Sequence, residues 1–329
     1  MNFSLIGALQ ILFKILIFPG LLFVVVIGLF LAGIDRKLVA RMQKRVGPPL
    51  RQPWFDFLKL LGKETIVPHA ANKAVYLAAP VIGFTGLVVM ALFIPVFGYS
   101  TFSGNGDLIV LLYLLTIPAV ALIIGGSASG SPYAGIGISR EMVTMMSYEL
   151  PLIIILLSVA RKVGGSALCF SLGQIVNWQA SNGCLAFHPA LIPAMLAMLL
   201  VIPAEVGTQP FDVAEAETEI CEGPLIEYSG APLAVFKLNT AMKMFIMTAL
   251  FTNIFFGGVS TASLIGAGIP AIALDAVIMV LICIVVTFLS MSLIHAITAR
   301  FKIEHLFKFY WTVVAGLAAL SLVLVWFGL

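Results

Sequence analysis

Eight stretches of this 329-residue chain run almost without charge, and chains patterned this way have few folds open to them. The stretches lie near residues 8–33, 76–97, 107–128, 140–160, 189–204, 233–256, 271–297 and 309–328. Most reach the roughly 20 apolar residues a helix needs to cross a hydrocarbon core of about 30 Å. In lipid, backbone polar groups must bond within their own helix or around a closed barrel. Dense apolar runs, with no alternating strands of about ten residues, exclude the barrel. Composition agrees: 61% of residues are hydrophobic and 10% charged, against about 45–50% and about 25% in soluble domains. The expected fold is therefore an all-α polytopic membrane protein with eight transmembrane helices, forming one integral membrane domain over residues 1–329. Disorder, collagen-like repeats and a disulfide-stapled module are excluded. No internal repeat supports an inverted-repeat transporter. The N-terminus holds one lysine, Lys14, and no small-residue cleavage site, so it reads as the first membrane helix rather than a signal peptide. Pro19-Gly20 is expected to bend that helix.

The few charges are unevenly placed. Of 18 basic residues, nine fall between Arg36 and Lys73, and Arg300, Lys302 and Lys308 lie between the last two stretches. The opposite loops carry Arg161 and Lys162. The positive-inside rule then places the loops after helices 1, 3, 5 and 7 in the cytoplasm and both termini outside, in the inner (cytoplasmic) membrane of the cell. Residues 34–75 form the first cytoplasmic loop, turned by Gly47-Pro48-Pro49. Within it Trp54, Phe55, Phe57, Leu58 and Leu61 fall on or near one helical face, with Asp56, Lys59 and Lys63 elsewhere. That is an amphipathic helix, lying either at the membrane interface or on a partner protein.

Ionisable groups within membrane helices are costly and demand a reason. With helix 4 starting near Ser139, Glu149 sits about 15 Å along it. Pro151 frees the Ser147 carbonyl beside it. Glu149 is a candidate for a proton relay or ion site; the alternative is a paired or protonated group that only joins helices. Helix 6 carries Lys237 and Lys243. An ammonium at Lys243 needs a carboxylate, and Glu149 or Glu205 is the natural partner, leaving Lys243 either a relay group or a counter-ion.

The most unusual segment is the acidic cytoplasmic loop, residues 205–232. From Glu205 to Gly230 it holds seven of the 15 acidic residues (Glu205, Asp212, Glu215, Glu217, Glu219, Glu222 and Glu227) and no basic one. Asp212 reads as an N-cap with Glu215 at N3, opening a short helix that stops at Gly223-Pro224. On such a helix Asp212, Glu215, Glu219 and Glu222 share one face. Crowded carboxylates raise one another's pKa and hold protons near neutral pH. This predicts a place where protons are taken up, a salt-bridged structure involving a basic partner or the chain's own Arg36–Arg51 segment, or a solvated face.

Other signals are weak. Cys169, Cys184, Cys221 and Cys283 form no C-x-x-C pair, and no His/Cys cluster has metal-ligand spacing, so no metal site is expected and the cysteines read as buried small hydrophobes. Gly104-Asn105-Gly106-Asp107 spells a protease-like G-x-G-D without its partner motif. H-E-x-x-H, G-x-S-x-G and Walker patterns are missing. His295 reads as a packed polar residue, and Asp107 and Asp275 as outer-interface groups.

Three stretches carry a family resemblance. They are DRKLVARMQKRVGPP with DFLKLLGKETIVP (35–49 and 56–68), SGSPYAGIGISREMVTMMSYELP (129–151), and PFDVAEAETEI with EGPLIEYSG (210–230); Ala299–Trp311 fits more loosely. The chain resembles the membrane "heel" component shared by respiratory complex I and the energy-converting membrane-bound NiFe hydrogenases. The turn after Gly47-Pro48 is short, and Gly207-Thr208 and Ala214 stand where the complex I branch has Asn-Arg and proline. Near Thr240 lysines flank where that branch often has a glutamate. Ser-Pro-Tyr, Ser-Arg-Glu-Met and Glu-Gly-Pro-Leu look more like the hydrogenase branch, including formate-hydrogenlyase-type complexes.

The resemblance implies a non-catalytic subunit without a redox centre, which docks a peripheral electron-transfer arm and couples it to ion translocation. Iron–sulfur clusters and a NiFe centre are then expected in partners: hydrogenase-like large and small subunits and a ferredoxin-like iron–sulfur subunit, alongside antiporter-like membrane subunits and lipids, with no nucleic acid. It places Glu149, Glu205, Asp212, Glu215, Glu217, Glu219, Glu222 and Glu227 on a proton path, with Glu141 and Lys243 as further candidates for it, and Arg36, Arg41, Arg45 and Arg140 at the docking surface, with Lys37 a further candidate there. The alternative is the quinone-chamber subunit of NADH–quinone oxidoreductase.

Overall fold

A computed structural model describes residues 12–96, 102, 104, 106–165, 167–259 and 269–328. Residues 8–11 of the first expected span and 97 of the second lie outside the described residues, as does Asn105 of the G-x-G-D motif. Eight helices among the described residues are long and apolar enough to cross a membrane, and no strand is present there. The expected fold class is borne out.

The first span, from Leu12, is interrupted at Phe18–Gly20 and resumes as α1 (Leu21–Met42). A short amphipathic helix, α2 (Gln52–Leu61), follows. Then come α3 (Lys73–Phe93), α4 (Asp107–Ser129) and α5 (Pro132–Gly164). The next connection holds α6 (Leu172–Asn182), which the sequence did not signal, before α7 (Ile192–Val206). The acidic loop contains only a one-turn α8 (Glu217–Ile220). α9 (Gly230–Phe256) is the sixth span. The seventh joins α10 (Ile269–Thr287) to α11 (Leu293–Ile297) through a π turn at Phe288–Ser292. The eighth joins α12 (Ile303–Phe309) to α13 (Ala315–Trp326) through a second π turn at Tyr310–Val314.

Two boundaries differ from the sequence reading, both because helices project beyond their apolar part. α1 continues through Arg36, Lys37 and Arg41, so the 34–75 segment begins as helix; bases in a last turn suit the negative end of the helix dipole. α5 starts at Pro132 rather than near residue 140. Ser131 is extended at the N-cap, and proline is pre-set for the first helical turn. At 33 residues α5 is about 50 Å long, more than a bilayer core needs.

α9 is the axis of the bundle. It packs against α1, α2, α3, α7 and α10, while α5 packs against α4, α7 and α13. The apolar pattern of α9 covers its whole circumference, the mark of a helix surrounded by others. Close approach to α1 depends on Gly28, where an added Cβ would lie 2.5 Å from the Ala241 carbonyl oxygen. At its start, Gly230 has φ +61, and a Cβ there would meet the Glu64 and Lys63 carbonyls at 2.7 and 2.8 Å. The α2–α3 connection is thus laid across the head of α9 and fixed by the Ile66 N–H donating to Ser229 Oγ at 3.0 Å.

α2 also differs in detail. Its five apolar side chains do not share one environment: Trp54 and Phe57 pack on the bundle, while Phe55 and Leu58 point outward at 57% and 59% exposure.

Gly28→Leu is expected to force α1 off α9 and lower the melting temperature of the purified chain, with a cost of about 1–3 kcal/mol or more. Gly316→Ala, whose new carbon meets nothing within 4 Å, should not lower it in the same thermal scan.

Candidate functional site

Lys243 lies 13 residues into α9, about 20 Å along the helix. Its Nζ is 2.7 Å from Oε1 of Glu205, with the two side chains 8% and 2% exposed. Two desolvated charges are each costly alone and tolerable together. Glu205 is held in the last turn of α7, where Gly207 turns the chain left-handed (φ +77) and the Gly207 and Thr208 N–H groups donate to the Pro203 carbonyl. The Tyr148 hydroxyl, from α5, also hydrogen-bonds Glu205. The pairing of Lys243 with Glu205 was one of the two readings of the sequence; Glu149, the other, lies within its electrostatic reach, as does Glu141.

Two cavities share Glu205 as a lining residue. One, of about 60 Å³, is lined by Glu141, Glu205, Asp212, Glu215, Asn239 and Lys243 among others. It leads from the acidic loop toward the pair and is roomy enough for water, which needs about 10–15 Å³ and polar partners. The second, of about 290 Å³, lies between α4 and α5 and is lined by Glu149, Glu205, Tyr113 and Thr116 on an otherwise apolar wall. Glu149 Oε1 is buried, with no hydrogen-bond partner among the described residues. So is Asn239 Oδ1, whose Nδ2 donates to the Pro80 carbonyl at 3.2 Å. A row of carboxylates, Asp212, Glu215, Glu141, Glu205 and Glu149, thus lines the two adjoining spaces. At the loop end, burial first, and then the like charges of Glu141 and Asp212, push Glu215 up to about 7, with Lys237 opposing.

The acidic loop is not the helix the sequence suggested. Val213–Glu215 forms a single 3₁₀ turn, and the Asp212 side chain makes no cap hydrogen bond. Asp212, Glu215, Glu219 and Glu222 therefore do not share a helical face. The reason is a competing partner: Arg300, between the last two spans, grips the Asp212 carboxylate with Nε and Nη2 at 2.9–3.2 Å and reaches Thr218 Oγ1 at 3.2 Å. Beside it, Phe301 N–H donates to the Pro210 carbonyl and the Phe301 ring stacks on Phe211. Arg140 ion-pairs with Glu219 and donates to the Val213 carbonyl at 3.4 Å. The bases that hold this loop are Arg300 and Arg140, not the Arg36–Arg51 segment.

The loop's far end is pinned by two tyrosines. The Tyr76 hydroxyl donates to the Glu227 carbonyl at 2.6 Å and the Tyr228 hydroxyl to the Tyr76 carbonyl at 3.0 Å, with the rings stacked at 4.1 Å. The Tyr76 carbonyl is available because Pro80, one turn on, has no N–H to offer it. Of the remaining acids, Glu217 is exposed, and Glu217, Glu219, Glu222 and Glu227 do not line the first cavity.

Among the basic residues, Arg36 ion-pairs with Asp56 at 2.8 Å. Burial works against the Asp56 charge, but Arg36 and Gln52 outweigh it and hold the carboxyl below its ordinary value. Arg41, Lys44, Arg45 and Val46 form an exposed tip, and Arg45 bonds the Gln43 side chain, while Lys37 is half-buried. Sequence reasoning missed Asp35, a buried acid on α1 that accepts the Ser292 hydroxyl at 2.7 Å. Its position at the edge of an apolar run was the available signal. It also misplaced Cys221, which is exposed.

Comparison with known proteins follows this geometry. A family described as NADH dehydrogenase matches residues 13–326. Hydrogenase-4 component C of Escherichia coli (strain K12) is 34% identical over 271 residues, covering 82% of each chain. NADH-ubiquinone oxidoreductase chain 1 of Dictyostelium citrinum is 35% identical over 256 residues, covering 74% of this chain and 77% of its own. In three dimensions the chain is similar to one in the membrane-bound sulfane sulfur reductase, an archaeal respiratory membrane complex, with TM-score 0.82 and 29% identity over 96% and 98% of the two chains.

Glu205→Gln should strand the Lys243 charge and destabilise the chain by about 3–5 kcal/mol, whereas Glu205→Gln with Lys243→Met should recover most of the loss. Thermal unfolding of the three proteins measures this. A carboxyl raised in the folded state contributes stability that is fully present below about pH 4.5 and lost as pH rises through about 7. Glu215→Gln is therefore expected to flatten the decline in melting temperature between pH 5 and pH 8.

Proposed function

This chain belongs to the NADH dehydrogenase family, and from that membership we propose that it is the docking and coupling subunit of an energy-converting hydrogenase of the complex I type. In this reading it anchors a peripheral arm in the membrane and links electron transfer, from ferredoxin or formate to protons with release of H₂, to movement of H⁺ or Na⁺. The redox groups belong to the partners: iron–sulfur clusters and a NiFe centre in hydrogenase-like large and small subunits and a ferredoxin-like subunit. Antiporter-like subunits adjoin it in the membrane. The protein sits in the inner (cytoplasmic) membrane, with the basic and acidic loops inside and both termini outside. Nine of the 18 bases in one loop support that sidedness.

The observation that carries the proposal is the buried Glu205–Lys243 pair, whose carboxylate lines both of the cavities that also hold Glu141, Glu215 and Glu149. A charge arriving near the acidic loop alters the field at Glu215 and Glu141. In a low-dielectric setting that change is felt at the pair and at the unpartnered Glu149. Arg140 and Arg300 tie the loop to α5 and to the last two spans, so displacement of the loop by a docked arm moves charges beside the first cavity. The exposed tip at Arg41–Val46 supplies contact surface for that arm. The hydrogenase-4 and NADH-ubiquinone relatives are almost equally near in identity, so the choice of branch rests on the residues of the loop, Gly207-Thr208 and Ala214 above all. The second reading, a quinone-chamber subunit, draws on the quinone-oxidoreductase relatives.

The purified complex should contain nickel and evolve H₂ from a reduced ferredoxin or viologen; a nickel-free complex that instead reduces quinone from NADH would establish the second reading. Within an active complex, Glu149→Gln should leave assembly and H₂ evolution in detergent intact while lowering coupled ion uptake in proteoliposomes about tenfold or more. Undiminished pumping by that variant would remove Glu149 from the path.

A further inference from the structure

The segment between the last two spans reaches toward the central ion pair through a group of rings. Arg300 and Phe301 hold the acidic loop at Asp212 and Pro210. From there four rings run inward. Phe301 stacks on Phe211 with centroids 5.5 Å apart and on Phe309 at 5.9 Å. Tyr310 meets Phe211 edge to face at 5.4 Å and Phe309 at 5.6 Å. Phe211 belongs to the acidic loop and lines the first cavity. Rings paired in these geometries attract one another beyond the area they bury, so displacement of one is resisted by the others.

Tyr310 is the ring of the four that is wholly buried. It opens the π turn of the eighth span, a local departure from helix geometry found mostly at functional positions. Its hydroxyl donates to the Leu200 carbonyl on α7 at 2.7 Å. Leu200 lies five residues before Glu205, about 7.5 Å along the same helix. Pro203 lies between them, and its missing N–H removes one helical bond, so the end of α7 can yield there. The Tyr310 phenol and the Glu205 carboxyl are within electrostatic reach of each other. Packing alone does not call for that hydroxyl. Phenylalanine fills the same space, whereas a buried phenol must find a partner.

We propose that Tyr310 is a positioning residue for Glu205, and that Arg300, Phe301, Phe309 and Tyr310 carry displacement of the acidic loop through α7 to the Glu205–Lys243 pair. This rests on the coupling role and names the residue through which a docked arm regulates the pair; it does not depend on which electron-transfer arm the complex carries. Tyr310 gives its proton to Leu200, so it acts through α7 rather than on the carboxylate. With the hydroxyl in place, a shift of the loop moves the end of α7 and the Glu205 side chain relative to Lys243. Without it, the loop moves and α7 does not follow.

The test uses the whole complex in proteoliposomes and reads ions taken up per electron pair transferred, with a pH dye and with radiolabelled sodium. Tyr310→Phe should leave electron transfer in detergent unchanged and lower that ratio about fivefold, the size of one buried hydrogen bond. Arg300→Gln, at the other end of the linkage, should lower it similarly and carries the test if Tyr310→Phe does not assemble. The double variant should again show about a fivefold loss, because two breaks in one linkage do not add. Phe307→Leu, which alters an exposed ring outside the four, should leave the ratio as it is. A loss of about twenty-five-fold in the double variant would mark two independent contacts and overturn the proposal. Electron transfer falling in parallel with ion uptake in Tyr310→Phe would mark a merely structural role and overturn it too. A coupled wild-type complex whose ratio is the same in Tyr310→Phe overturns the linkage alone, whereas a wild-type complex that moves no ions takes the coupling role down with it.

Discussion

The ion pair between Lys243 and Glu205 is the constraint around which the rest of the bundle is arranged. Neither charge is tolerable in the interior without the other, so the middle of α9 must meet the end of α7 at 2.7 Å. That requirement sets where α7 stops, because Glu205 belongs to its last turn and Gly207 must turn the chain away immediately after it. It also sets what surrounds the junction. Tyr148 completes the Glu205 carboxylate from α5, and the small cavity beside it collects the polar groups that the helices cannot satisfy among themselves, including Asn239. A wholly apolar seam would pack as well and would hold the helices together with less risk. Retaining the pair there makes sense where field and protonation matter more than packing.

The acidic loop depends on the same logic at the surface. It has little regular structure, yet almost every part is tied to a different span: Asp212 to Arg300, Glu219 to Arg140, Glu227 and Tyr228 to Tyr76 on α3, and Ser229 to the α2–α3 connection. The anchors are charge-assisted or buried hydrogen bonds, stronger than exposed neutral ones. A segment held this way moves with the helices it is tied to.

Much of this was legible in the sequence. Span number follows from apolar runs that have no alternative in lipid, and all eight were found. The need of Lys243 for a carboxylate partner followed from the cost of a charge at that depth, and Glu205 supplies it. What could not be read was the partner of each charge. The capping-box pattern at Asp212 and Glu215 is a local signal, and it lost to Arg300, which is 88 residues away in the chain. The start of α5 and the end of α1 were missed because glycine, serine and arginine lower the hydropathy of turns that are helical all the same. Asp35 and Ser292 lie 257 residues apart, and nothing local marks their hydrogen bond.

The two cavities beside the central pair have one lining residue in common, Glu205. If protons follow the proposed path, Glu205 would act as a turnstile: it holds one proton or none, so charge would pass between the two spaces in single units. Its protonation would leave Lys243 alone, and a lone buried ammonium repels the next cation until the carboxylate is ionised again.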